Sequence, residues 1–268
     1  MKEWRGRAVL VGGAMGILAV WELSVKIFGI PLYVLPAPTD VAAAFGTEWE
    51  TLVGHGAVTT LEALAGIGIS FILALALGIL MDWFPAVKKG VYPLLVVTQT
   101  VPMLVLAPIF IIYMGFGIGP KILTVVLMCF FPVAVSFSDG LGRVDGEYVH
   151  LVRSCGAGKW SAYRLVKIPA ALPSLLSGLK VAATYSISGA VVGEWIGAQE
   201  GLGYYLLRVK NGYMMDKVFA CVAVIIGLSL CMNGAVRLLG RLWLPYERKH
   251  KPYRRYSGGM DNEASGRM

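Results

Sequence analysis

Charge is what this chain has least of. Of its 268 residues only 15% are Asp, Glu, Lys or Arg, while 57% are hydrophobic and the mean hydropathy is +0.68. A soluble domain carries roughly 25% charged residues, so a chain whose whole surface meets water is excluded. The length would suit one or two soluble domains, but the apolar runs are too long for soluble helices. Groups for bond chemistry are also few. The three histidines, His55, His150 and His250, fall outside the long apolar runs, and neither HExxH nor GxSxG occurs. The four cysteines, Cys129, Cys155, Cys221 and Cys231, form no CxxC or Cys/His cluster. That excludes a zinc site or a disulfide framework, and three of the four read as small apolar side chains. A phosphate-binding loop is missing as well: GAGKWS has Arg153 where the loop's first glycine belongs, and Trp160 follows Lys159. The chain does not bind ATP by that motif. Acidic residues are outnumbered, giving a net charge of +8, but the basic residues punctuate apolar runs rather than forming a solvated patch with aromatics. They read as topology signals and anionic-lipid contacts, and nucleic acid is excluded as a partner.

Spanning segments are what the sequence does contain. Six runs, at 8–30, 58–83, 91–113, 122–137, 172–196 and 218–239, approach the roughly 20 apolar residues that cross 30 Å of hydrocarbon. The fourth is the shortest and the third the least regular. The first follows a basic start, yet it is long enough to span and has no convincing small-residue cleavage site, so no removable leader is expected. The expected fold is an all-α integral membrane protein of six transmembrane helices, with the lipid bilayer as its surroundings. Lys2, Arg5, Arg7, Lys88, Lys89, Arg143, Arg153, Lys159, Arg164, Lys167 and the basic C-terminal residues from Arg237 onward fall on one side. Only Lys26, Lys121, Arg208, Lys210 and Lys217 fall on the other, and residues 31–56 carry no Lys or Arg at all. The positive-inside rule then places both termini in the cytoplasm. Three regions are expected: 1–56 with the first helix and an external linker, 57–241 as a five-helix core, and 242–268 as a basic, disordered cytoplasmic tail. No strong internal repeat is present, which argues against an ion-coupled carrier built from two fused halves. An intramembrane enzyme lacks its nucleophile, base or metal cluster.

The segment 141–173 is too long for a mere connector between neighbouring helices. It is amphipathic and carries five basic residues, Arg143, Arg153, Lys159, Arg164 and Lys167. Short helices are expected in it, with Gly156 supplying a turn and Pro169 and Pro173 punctuating the start of the next span. The segment is either a membrane-surface helix or a docking element for a cytoplasmic partner.

Two polar sets lie inside the spans. In the third, Pro93, Pro102 and Pro108 interrupt the hydrogen-bond ladder, and Thr98, Gln99 and Thr100 bring polar groups into the membrane. Such backbone is tolerated where it lines protein or a wet cavity; the alternative is a kinked helix whose Gln99 bonds a neighbour. In the fifth, Tyr185, Ser188 and Trp195 recur at near-helical spacing, with Thr184 one turn before Ser188. They suit a pathway that stacks a flat ring, or equally helix–helix glue. Charged residues in spans need partners or water. Glu22 and Lys26 are spaced for a local pair, Lys180 can snorkel, Glu62 and Glu194 near outer helix ends read as structurally paired or, second, as lining an external vestibule, and Asp139 as solvated at a helix end.

At this point the residues resemble a family. Gly156, Val166, Ile168 and Pro169 fit the pattern EAA-x3-G-x9-I-x-L-P of binding-protein-dependent importers, although His150, Leu151 and Val152 replace the EAA. The stretches 21–41 (WELSVKIFGIPLYVLPAPTDV) and 193–206 (GEWIGAQEGLGYYL) are similar to those of nitrate, sulfonate and taurine permeases. The stretch 98–141 looks most like the branch importing thiamine pyrimidine precursors, with riboflavin permeases as neighbours. The resemblance implies a homodimeric permease of an ATP-driven importer in the plasma membrane. Two cytoplasmic ATPase subunits would dock on the coupling-helix loop between helices 4 and 5, through Arg153, Gly156, Ala157, Trp160, Val166, Ile168 and Pro169. An extracytoplasmic binding protein would deliver the substrate. No cofactor is bound by this chain; ATP and Mg are used by the ATPase partners, and no residue is catalytic or metal-binding. Gln99, Thr100, Pro102, Tyr185, Ser188 and Trp195 are the candidate pathway residues. A thiamine pyrimidine precursor is the expected cargo, with an aliphatic sulfonate, taurine, nitrate or riboflavin as alternatives.

Overall fold

The computed structural model describes residues 2–243, and among these it contains helices and no strands. Most of the expected tail, from residue 244 on, lies outside the described residues. In chain order the helices are α1 (Lys2–Ile27), α2 (Pro38–Thr47), α3 (Trp49–Trp83), α4 (Pro85–Thr98), α5 (Met103–Met114), α6 (Ile118–Gly142), α7 (Gly146–Ser154), α8 (Lys159–Ala162), α9 (Ile168–Glu194), α10 (Leu202–Asn211) and α11 (Met215–Trp243). A π-helical turn, Tyr163–Lys167, joins α8 to α9, so Lys159–Glu194 runs as one helical stretch of 36 residues. Among the described residues four stretches are long and apolar enough to cross a membrane, α3, α6, Lys159–Glu194 and α11, and the bent pair of α4 and α5 adds a fifth if it forms one span.

The core is a three-helix sandwich of α3, α6 and α9, with α11 against α9. Phe137, Val125, Val133, Leu175 and Ile187 are buried there almost completely. Glycine lets these helices approach closely. A Cβ on Gly66 of α3 would lie 2.4 Å from the Val125 side chain, and one on Gly178 of α9 would lie 2.6 Å from the Pro132 carbonyl of α6. Small residues serve this purpose in lipid, where apolar burial alone does not drive helices together. A smaller cluster of Leu52, Leu202, Tyr205, Val209, Ala220 and Cys221 ties α3 to α10 and α11.

Three sequence expectations change. The third apolar run is not one helix: α4 and α5 meet at 104°. Only Pro102 lies at the break, as the residue before α5, whereas Pro93 and Pro108 lie inside helices. Pro102 lacks a donor and keeps Val101 out of the helical region, which accounts for the position of the break. The fourth helix runs beyond its apolar stretch at both ends: α6 has 25 residues and continues through Pro132, though it is still shorter than α3, α9 and α11. Pro169 and Pro173 do not end the helix at the start of the fifth span either: Pro169 follows directly on the π turn inside the stretch Lys159–Glu194, and α9 continues through Pro173.

Candidate functional site

At one end of the bundle the 141–173 segment folds into short helices. Asp145 caps α7 by accepting from the Glu147 N–H at 3.0 Å. The helix then stops in a Schellman arrangement, with Ala157 N–H donating to Val152 O and Gly156 N–H to Arg153 O. Gly156 takes φ +86° there, the left-handed conformation this motif demands. Helix α7 buries none of its residues. Tyr148, Leu151, Trp160 and Leu165 are all more than half exposed, leaving an apolar surface on this loop. Of the residues matched to the family's loop, Arg153, Gly156, Trp160 and Pro169 are exposed, and Ala157, Val166 and Ile168 are half-buried.

The loop is fastened to the last turn of α3. Asp82 accepts from Lys167 Nζ at 2.7 Å and from the Tyr163 hydroxyl. Trp83 meets Tyr163 edge-on at 5.5 Å and Trp160 at 6.2 Å, and Lys159 Nζ lies 5.2 Å from its ring centre. Sequence reasoning missed Asp82 and Trp83; the available signal was an acid followed by a tryptophan at the end of an apolar run. Asp139, expected to be solvated, accepts from the Tyr92 hydroxyl at 3.1 Å and joins α6 to α4.

Along α9 one face is core and the other is open. Leu179, Ala182, Ala183, Ser186, Ile187 and Ala190 are buried, whereas Ser177, Lys180, Val181, Thr184, Tyr185 and Ser188 are exposed. The exposed set follows the 3–4 spacing of a single helical stripe. Asn233 of α11 donates to Thr184 at 3.1 Å from its edge. Trp195 does not continue the stripe: it is half-buried against the core, and its Nε1 is enclosed with no hydrogen-bond partner among the described residues. Gln99, Thr100 and Pro102 are exposed together at the α4–α5 bend. Thr98 and Thr100 satisfy their hydroxyls on local carbonyls, at 2.8 and 2.7 Å. Helix α5 packs against α6 and α9, which brings the bend and the stripe onto neighbouring elements.

The opposite end is closed by a buried polar cluster. Glu62 of α3 is paired with Lys121 of α6 at 2.8 Å, and its carboxyl lies beside that of Glu194 at the end of α9. Both glutamates are 1% exposed. Glu194 accepts from Thr59 Oγ1 at 2.7 Å and from the Gly203 N–H at 2.5 Å. Leu202 N–H donates to Thr59 Oγ1 at 2.8 Å and Gly201 N–H to His55 Nδ1 at 3.1 Å. The otherwise unpaired donors at the start of α10 are thus satisfied by α3 and α9. The fit requires glycine: Gly201 has φ +110°, and a Cβ there would lie 2.2 Å from the Glu194 carboxyl carbon. The structural pairing expected for Glu62 and Glu194 is present, as is the Glu22–Lys26 ion pair, which Thr39 joins. Beside α2, a hydrogen bond from Lys217 holds the Glu48 carboxyl below the usual carboxylate range.

Residues 66–244 match the family described as the binding-protein-dependent transport system inner membrane component. The chain is 36% identical over 234 residues to the formylaminopyrimidine transport permease protein ThiX of Halalkalibacterium halodurans, covering 87% of this chain and 93% of that one. It is 29% identical to the putative aliphatic sulfonates transport permease protein SsuC of Bacillus subtilis, over 88% of this chain and 86% of that one. Its fold is similar to a chain of the MetNI methionine ABC transporter in inward-facing form, at TM-score 0.58 and 19% identity, covering 73% of this chain and 94% of that one.

Proposed function

The chain belongs to the family of binding-protein-dependent transport system inner membrane components, and from that premise we propose that two copies form the pathway by which an ABC importer admits a thiamine pyrimidine precursor. As a family member it is a multi-pass plasma-membrane permease subunit and not an enzyme; ATP is used by partner ATPase subunits, and a substrate-binding protein is the other partner. In our reading the chain crosses the membrane six times, by α1, α3, the bent α4–α5 pair, α6, α9 and α11. The excess of Lys and Arg at the end bearing the 141–173 loop supports placing that end in the cytoplasm. The ATPases dock on the exposed face of α7 and α8, and the buried Glu62–Glu194 cluster closes the external end.

One observation carries the pathway: the open stripe of Ser177, Lys180, Thr184, Tyr185 and Ser188 on a helix whose other face is core. Polar side chains in a span, and a lysine above all, are expensive against hydrocarbon. A second copy meeting this one along α9 would place both stripes around a shared, hydrated path, with the Gln99–Pro102 bends beside it. Tyr185 then offers a flat face for an aromatic ring. The 36% identity to a formylaminopyrimidine permease supports a pyrimidine as cargo.

Lys180 favours a second reading, import of an aliphatic sulfonate, because a fixed cation on the stripe suits an anion. Titration of the cognate binding protein separates the two. Tight binding of an aminopyrimidine, with no response to taurine or alkanesulfonates, is the expected result; the reverse pattern would sink the pyrimidine assignment.

A further inference from the structure

The docking helix α7 buries no residue of its own and packs mainly on α8 and the π turn. Its connection to the bundle therefore runs through those two short pieces. They continue directly into α9, but they also meet α3, through side chains: Asp82 takes Tyr163 and Lys167, and Trp83 takes Trp160, Tyr163 and Lys159. The π turn has a role in this. Its wider winding is typical of functional sites inside helices, and it carries both Tyr163 and Lys167, which converge on the one carboxylate of Asp82. Tyr163 is 4% exposed, so the junction is a packed contact and not a surface ion pair.

We propose that Asp82 and Trp83 are positioning residues for ATP coupling: they fasten the docking loop to α3, so that movement of the loop reaches α3 as well as α9. This inference rests on the docking role proposed above. Without Asp82 the loop keeps its covalent links to α6 and α9, but its hold on α3 falls to the ring contacts of Trp83, and it pivots more freely against that helix. Force from an ATPase is then spent in reorienting α7 rather than in moving the α3–α6–α9 core. Trp83 adds shape to the same junction, because its ring meets Trp160 of α8 and Tyr163 of the π turn edge-on.

Two measurements test this. In the first, a nitroxide is placed on α7 by Leu151→Cys, in full-length chain lacking its other cysteines and reconstituted in nanodiscs. Asp82→Asn and Trp83→Ala should each raise label mobility, and the double exchange Asp82→Lys with Lys167→Asp should lower it again. Unchanged spectra in both single variants would overturn the anchor. In the second, the chain is assembled with its cognate ATPase and binding protein in proteoliposomes. Asp82→Asn should retain the parent amount of ATPase while substrate-stimulated hydrolysis and uptake fall by about tenfold. A variant that holds the ATPase and retains parental stimulation would overturn the coupling role even where the label moves. An unsubstituted chain that captures no ATPase would overturn the docking reading, and the coupling role with it.

Discussion

Lys121 is the only ammonium at the buried carboxyl cluster among the described residues, and its Nζ reaches Glu62 at 2.8 Å. The second oxygen of Glu62 is already enclosed with no donor among those residues, so the pair has little to fall back on. Removing one partner of a buried ion pair costs about 3–5 kcal/mol, because the other charge stays buried, whereas replacing both is often neutral. Lys121→Met should therefore lower stability in detergent by about 3 kcal/mol or more, and Lys121→Met with Glu62→Gln should recover most of that loss. Thermal unfolding of the two variants beside the parent checks this; equal losses in both would mean that the pair is not the source. Glu62 and Glu194 were legible in the sequence as buried acids needing partners. Their shared contact was not, because it joins residues 62, 121 and 194 across three helices, and the Gly201–Gly203 backbone that completes it has no side-chain signal.

At the scale of elements, hydropathy located the long helices well and their ends poorly. Helix α3 begins at Trp49 rather than near residue 58, because its first turns face α2, α10 and α11 instead of uniform lipid. Helix α10 went unread, since its ten residues are too short and too mixed to stand out. The loop was more readable, because a glycine at the end of a short amphipathic helix has a definite conformational meaning. Gly156 sits at φ +86° with open space around its Cβ position. Gly156→Val therefore meets no clash, but it strains the turn by about 1–2 kcal/mol and redirects the chain between α7 and α8. The variant should insert and purify as the parent does while uptake in proteoliposomes drops severalfold; parental uptake would argue against docking through this turn.

For the whole molecule, the test is whether copies meet along α9. Isologous contacts bring a residue near the two-fold axis against its own counterpart. Tyr185→Cys or Ser188→Cys, in chain with Cys155 and Cys231 replaced, should then form a disulfide-linked dimer on mild oxidation. Ile72→Cys, exposed on α3, serves as the control. Dimer at Ile72 with none at either α9 position would move the contact to another face. Composition and periodicity made the bundle legible at this scale, but the open side of α9 was not. Thr184, Tyr185 and Ser188 read equally well as glue between helices of one copy until the core was seen to fill the other face.

The same stripe bears on biogenesis. A copy inserted alone leaves Thr184, Tyr185 and Ser188 against acyl chains and obliges Lys180 to snorkel along its own stem to reach water, so the lone state is the costlier one. An orphan subunit thus displays the kind of defect that membrane proteases and insertases detect. Its cellular half-life becomes a measure of whether it has found its counterpart.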